Sequence, residues 1–180
     1  FRTYAYPPQF NSANLSIRSF VNRGPEKVIG SRDGLFYINE ATGIVKSFVK
    51  PVLTSDLILT ICFYEGEYYI GTYGGGMMVL NPQTLSLKYF TQGDTELFQK
   101  GHIFCVKPDN RGNLWIGTSQ GLFCYNGQTK QIKNFTSTNS QLPEGNVYEV
   151  SFDSTGKGWI ATETGMCIYD PASQSLRSNV

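Results

Sequence analysis

Residues 113–125 read Asn-Leu-Trp-Ile-Gly-Thr-Ser-Gln-Gly-Leu-Phe-Cys-Tyr, and this stretch decides the fold. Its first part, 114–116, is a short apolar run of the kind found in strands that are buried on both faces. Residues 118–121 then supply polar turn formers and a glycine that can adopt a positive φ. A second apolar run begins at Leu122. The stretch therefore predicts a β-hairpin.

The same pattern occurs four times in the chain. A glycine or alanine before a threonine or serine marks each copy, and these residues are Gly30, Gly71, Gly117 and Ala161, at spacings of 41, 46 and 44 residues. A period near 40–45 residues with strand-turn-strand content is typical of propeller blades. No stretch shows helical periodicity, since proline or glycine interrupts each longer run. We therefore predict an all-β chain, a partial β-propeller of about four consecutive four-stranded antiparallel blades.

The whole chain, 1–180, is interpreted as a fragment of a β-propeller domain. The repeats are placed at about 15–48, 57–90, 101–135 and 145–177. Four repeats lie at the low end of the blade numbers of propellers, and the chain does not begin with methionine. We expect a piece of a longer array, whose open ends contact a second copy in a homodimer or blades outside this chain.

Composition excludes several classes of partner and anchor. The net charge is +1, with 15 basic and 14 acidic residues, so no nucleic-acid footprint is expected. No run approaches the ~18 apolar residues of a membrane span. The four cysteines are expected to be free, buried thiols at repeat-equivalent positions, because pairing across neighbouring blades would strain a disulfide.

The apolar residues of the repeats are interpreted as architecture. Tyr69, Trp115 and Trp159 occupy equivalent places and are bulky enough to fill the wedge between stacked blades. The glycine or alanine two residues later fits where backbones crowd toward the axis. These positions are not expected to take part in catalysis.

At these residues the chain resembles a known family, the two-component regulator propeller repeats. Their pattern is an Asp-turn-Gly, then Leu-Trp-Ile-Gly-Thr, a polar pair, Gly-Leu and an aromatic residue. Residues 109–125 match it nearly throughout. Residues 153–169 match it with Ala161 for the glycine and Met166 for the leucine. The first two repeats lack the tryptophan, and the second also lacks the Asp-turn.

The resemblance implies a periplasmic sensor region of a hybrid two-component histidine kinase, of the kind found in gut Bacteroidetes. In that family two propellers usually precede a β-sandwich, a membrane span and the kinase, so the parent protein would be membrane-anchored. The implied activity is detection of carbohydrate fragments, and this segment would not be an enzyme. A protein-interaction scaffold is the alternative, followed by a propeller polysaccharide lyase or hydrolase.

The sequence contains few residues that would indicate a catalytic or metal-binding site. His102 is the only histidine, and no nucleophile-base pair or cluster of metal ligands accompanies it. Asp109 and Asp153 lie in turns where a carboxylate caps backbone amides. The triple glycine at 74–76 lacks the Lys-Ser/Thr and the helix of a phosphate loop. No cofactor is expected.

Binding at the turns that follow the Gly-Thr strands is the favoured hypothesis. These turns and the long connections between repeats gather on one face of a propeller, and they differ in size and charge between repeats. Tyr73 could stack on the apolar face of a sugar. The predicted oligosaccharide site consists of Arg32, Tyr73, His102, Gln120 and Glu163, converging on one shallow depression.

Overall fold

The computed structural model describes residues 16–93 and 95–178, and its strands form four antiparallel four-stranded sheets, here called blades 1 to 4. Blade 1 contains β1 (Ile17–Arg23), β2 (Glu26–Ser31), β3 (Gly34–Asn39) and β4 (Ile44–Phe48). Blade 2 contains β5 (Ile58–Tyr64), β6 (Glu67–Thr72), β7 (Met77–Leu80) and β8 (Leu87–Tyr89). Blade 3 contains β9 (Ile103–Pro108), β10 (Asn113–Thr118), β11 (Gly121–Asn126) and β12 (Ile132–Phe135). Blade 4 contains β13 (Val147–Phe152), β14 (Gly158–Thr162), β15 (Met166–Asp170) and β16 (Ser175–Ser178).

The strands of each blade are hydrogen-bonded in chain order, which confirms the predicted all-β propeller architecture. The first strands of neighbouring blades pack against one another, whereas the outer strands diverge. The first strands β1, β5, β9 and β13 are therefore the innermost strands, closest to the axis around which the blades are arranged.

The Gly-Thr pair, which is Gly-Ser in blade 1 and Ala-Thr in blade 4, has two structural roles. The hydroxyl of Ser31, Thr72, Thr118 or Thr162 donates to a glycine carbonyl across the following turn at 2.8–3.0 Å. The preceding glycine leaves room for the next blade: a Cβ on Gly117 would lie 2.6 Å from the carbonyl oxygen of Val147. Ala161 occupies this position in blade 4, where the described chain has no further blade.

Each pair of adjacent blades encloses its own apolar core, so three cores hold the four blades together. Trp115 lies in the core between blades 3 and 4 and is 0% exposed. Its ring centroid lies 5.7 Å from that of Phe152 and 4.5 Å from that of Tyr169. Tyr69 is buried in the same way between blades 2 and 3. Trp159, at the equivalent position of blade 4, is 41% exposed. The wedge role predicted for these residues thus holds for Tyr69 and Trp115 but not for Trp159 within the described chain.

A second set of contacts joins the innermost strands directly. The Ser19 hydroxyl accepts a hydrogen bond from the backbone N–H of Ile61 at 2.9 Å, and the Thr60 hydroxyl accepts one from Val106 at 3.2 Å. Cys105 occupies the same register position, opposite the glycine of the second strand. By this equivalence, the Cys105 sulfur faces the backbone N–H of Val150 in the next blade.

Two local expectations are wrong. A short helix, α1 (Thr95–Lys100), lies in the connection between blades 2 and 3. It buries Leu97 and Phe98 in the core between these blades, and it is too short to produce a helical period in the sequence. The cysteines are free but not equivalent, because Cys124 lies opposite Trp115 whereas Cys167 lies opposite Ile160.

Candidate functional site

One end of the blade assembly carries the turns that follow the second strands. The turn residue donates its backbone N–H to the carbonyl oxygen of the residue just before the first strand of the same blade, at 2.9–3.2 Å in every blade. We call the donors the turn positions; they are Arg32, Tyr73, Ser119 and Glu163. We call the acceptors the start positions; they are Ser16, Leu57, His102 and Asn146. This constant backbone frame carries eight side chains of different chemistry.

A third row of residues lies in the innermost strands, two residues after each start position. The register of the first strand shifts once near its beginning in all four blades, and the shift leaves one residue without a partner. We call these the bulge positions; they are Arg18, Leu59, Phe104 and Tyr148. The turn, start and bulge positions together form the axial end of the structure.

Aromatic rings form a continuous row across blades 2, 3 and 4 at this end. The Tyr73 ring stacks on His102 with centroids 4.0 Å apart and an interplanar angle of 29°. The ring centroids of His102 and Phe104 are 6.2 Å apart. The Phe104 ring meets the Tyr148 ring edge-on, with centroids 5.1 Å apart. Tyr73 and Tyr148, at the two ends of the row, are 50% and 44% exposed. The row thus presents most ring surface to solvent at its two ends, while His102 and Phe104 at its centre are half-buried.

Polar groups extend the row in blade 4. The side-chain amide of Asn146 donates to the Tyr148 hydroxyl at 3.1 Å and to Glu163 at 3.0 Å. Glu163 also accepts from the backbone N–H of Asn146 at 3.2 Å. Side chains at the turn, start and bulge positions of one blade therefore come within reach of one another, and Asn146 fixes the carboxylate of Glu163.

Blade 1 presents a different chemistry in the same frame. Its turn and bulge positions are both arginine, Arg32 and Arg18, and its start position is the small Ser16. Both arginines are exposed, and within residues 16–93 and 95–178 neither guanidinium has a hydrogen bond, ion pair or ring contact. The axial end is thus cationic at blade 1 and aromatic from blade 2 to blade 4.

The five residues predicted from sequence all belong to this end, where they hold different positions. Tyr73 contacts His102, while Arg32 and Glu163 hold equivalent turn positions on separate blades. Gln120 lies one residue beyond its turn position and lines a small pocket of about 180 Å³ with residues of the 136–145 connection. Whether these residues bind a ligand remains a prediction.

Sequence reasoning missed Arg18, Phe104, Asn146 and Tyr148. The bulge residues lie twelve or thirteen residues before the glycine or alanine that marks each repeat, so aligning the repeats on that residue would have brought them together. Their exposure on the axial end depends on the register shift, which leaves no mark in the residue pattern.

Chemistry beyond binding has little support at this site. In the described part of the chain, no three His, Cys, Asp or Glu residues cluster in a way that could hold a metal ion. The Nδ1 atom of His102 is buried and has no hydrogen-bond partner, and a tyrosine ring covers the imidazole. Such a histidine is placed to pack rather than to exchange protons with a substrate.

Comparison with known proteins identifies the repeat. Residues 98–120, which include β10 and the turn after it, match the family described as two component regulator propeller. The third repeat is a two component regulator propeller repeat. A comparison with curated protein sequences gives no significant match.

Regulator propeller repeats also account for the structural similarities. The chain is similar to the extracellular domain of a proposed hybrid two component system from B. thetaiotaomicron, with a TM-score of 0.78, 25% identity and 92% of this chain covered. A second such domain from the same organism gives a TM-score of 0.76, 20% identity and 97% coverage. The chain spans only 23% of the length of either domain.

A designed protein, Ika4, shares the fold as well. Its TM-score is 0.64 at 13% identity, with 89% of this chain and 94% of the designed chain covered. Among the residues described here, no helix is long and apolar enough to cross a membrane.

Proposed function

We propose that this chain is part of the extracytoplasmic sensor domain of a hybrid two-component system, and that its axial end contributes to an oligosaccharide site. The parent protein would be anchored in the inner membrane, with this segment in the periplasm. Support comes from the similarity to extracellular domains of two hybrid two component systems and from the regulator propeller repeat.

The observation that carries the binding role is the variation at the axial end. Twelve positions share one backbone frame, yet their side chains range from arginine and glutamate to tyrosine and leucine. Structural positions of the same blades are far more uniform, as the Gly-Thr pair shows. Aromatic surface next to hydrogen-bonding groups is the combination that sugars require, since a ring stacks on the apolar face of a pyranose while amides and carboxylates bind its hydroxyls.

The proposed role is recognition without catalysis. A lyase or hydrolase would need acid-base groups converging on one point. Of the candidate groups, His102 is covered by Tyr73, and the Glu163 carboxylate is occupied by Asn146. A scaffold that binds other proteins remains the second candidate, favoured by the exposed apolar side chains of the two outermost blade faces, such as Phe20 and Trp159.

Calorimetric titration of the protein with a panel of oligosaccharides tests the proposal. We expect at least one member to bind, and Tyr73→Ala to weaken that binding roughly tenfold through loss of the stacking surface. Tyr89→Ala is the matched control, because Tyr89 is similarly exposed but lies on the outermost strand of blade 2. Binding that is insensitive to Tyr73→Ala would show that the site lies elsewhere.

A further inference from the structure

The distribution of charge at the axial end bears on the class of sugar that the site would accept. Arg18 and Arg32 occupy the bulge and turn positions of blade 1, on either side of Ser16. In blade 4 the residues at these two positions, Tyr148 and Glu163, are bridged by the single side chain of Asn146. The same frame in blade 1 therefore holds two guanidinium groups around a serine that is too short to reach either.

Within residues 16–93 and 95–178, neither Arg18 nor Arg32 has an acidic partner. Arg23 and Arg177, by contrast, each pair with a carboxylate, and Arg23 also lies 3.3 Å from the centre of the Phe63 ring. Asp33 follows Arg32 in the turn, but no ion pair joins the two in the described structure. Both arginines are exposed, and in the part of the chain that the structure describes their guanidinium groups have no hydrogen-bond or ion-pair partner.

We infer that the ligand is an oligosaccharide with a carboxylate at one end, such as a terminal uronic acid. Arg18 and Arg32 would bind the carboxylate, and the rings between Tyr73 and Tyr148 would bind the sugar units that follow. This inference rests on the proposed function. Guanidinium groups match the planar geometry of a carboxylate and bind it through paired, charge-assisted hydrogen bonds.

Blade 4, at the other end of the aromatic row, determines how the ligand would be oriented on the axial end. Glu163 lies on blade 4, where Asn146 holds its carboxylate in place. A second acidic sugar at that end would meet a like charge, which is unfavourable. The site would therefore prefer a ligand that is acidic at the blade 1 end and neutral at the blade 4 end over a uniformly acidic polymer.

The test uses matched oligosaccharides that differ only at the terminal C6 group. One member carries the uronic acid carboxylate, the second the neutral hydroxymethyl group, and the third a sulfate ester. Each is titrated into the protein by calorimetry at low and at high salt. We expect the carboxylated member to bind at least tenfold more tightly than its neutral counterpart, with the difference reduced at high salt.

Variants separate this inference from the proposed function. Arg18→Gln and Arg32→Gln should each lower the affinity for the carboxylated member roughly tenfold and thereby reduce its preference over the neutral member. Arg111→Gln is the control, since Arg111 is exposed in the turn between β9 and β10 at the other end of the blade.

Equal binding of the carboxylated and neutral members, or no effect of the arginine variants, overturns the inference and leaves carbohydrate binding intact. Tighter binding of the sulfated than of the carboxylated member also overturns it. If no member of any set binds, the proposed function fails, and this inference fails with it.

Discussion

At the scale of single residues, Cys105 shows how a thiol replaces a hydroxyl in the innermost strand. Ser19 and Thr60 hold the equivalent positions, and each accepts the backbone N–H of a residue in the next blade. Cys105 is 1% exposed, and burial raises the pKa of its thiol to about 12, so the sulfur stays protonated at neutral pH. We expect the sulfur to act as the acceptor for the backbone N–H of Val150, as the hydroxyls do in blades 1 and 2, and we expect no redox chemistry of it.

This assignment predicts different outcomes for two small substitutions. Cys105→Ser supplies the acceptor used in blades 1 and 2 and should change the free energy of unfolding by less than about 1 kcal/mol. Cys105→Ala removes the acceptor that we expect for the Val150 N–H and should raise the cost to about 1–3 kcal/mol. Chemical denaturation of both variants checks this. Equal losses in the two variants would mean that the sulfur contributes by packing alone.

At the scale of the structural element, the turn between the first and second strands exists in two nearly identical copies. The Asp109 carboxylate accepts the backbone N–H groups of Arg111 and Asn113 at 2.8 and 2.9 Å. Asp153 accepts the corresponding groups of Thr155 and Lys157 at 2.8 and 3.0 Å. Only Asp109 also accepts the indole N–H of Trp115, at 2.9 Å.

The pair of turns allows the contribution of the indole bond to be measured. Asp109→Ala removes the turn bonds and a bond from the Asn113 side-chain amide, and it leaves the N–H of a fully buried indole without its acceptor. Asp153→Ala removes only the turn bonds and a bond from the Thr155 hydroxyl. We expect Asp109→Ala to destabilise the protein by about 1–3 kcal/mol more, as measured by urea denaturation. Equal effects would show that the indole finds another acceptor.

The four blades and their strands could be predicted from the sequence, whereas helix α1 and the register shifts could not. The apolar runs, the turn residues and the Gly-Thr pairs locate each blade, because they arise from local backbone chemistry repeated four times. Helix α1 and the register shifts depend on contacts between blades, to which local patterns are insensitive. Tyr73 and His102 were predicted on one face, but their neighbours Phe104 and Tyr148 enter through the shifts.

At the scale of the whole molecule, the outer face of blade 4 repeats an interface that is already used inside the chain. Trp159 and Met166 occupy the register positions of Trp115 and Leu122, which pack against the next blade. Here both residues are more than 40% exposed, whereas their counterparts are completely buried. Exposed apolar surface of this kind marks a contact site. We propose that another blade, from a second copy or from blades outside this chain, covers it.

The two tryptophans make this contact measurable, because they are the only ones in the sequence. In the Trp115→Phe variant, Trp159 is the sole indole fluorophore, and at low concentration we expect red-shifted emission that acrylamide quenches readily. As concentration rises, sedimentation should show association together with a blue shift of that emission. Trp159→Ser in the natural background should weaken the association, whereas Val52→Ser, which removes a similarly exposed residue of the 49–56 connection, should not. A monomer at high concentration with a fully quenchable Trp159 would exclude a second copy as the partner on this face.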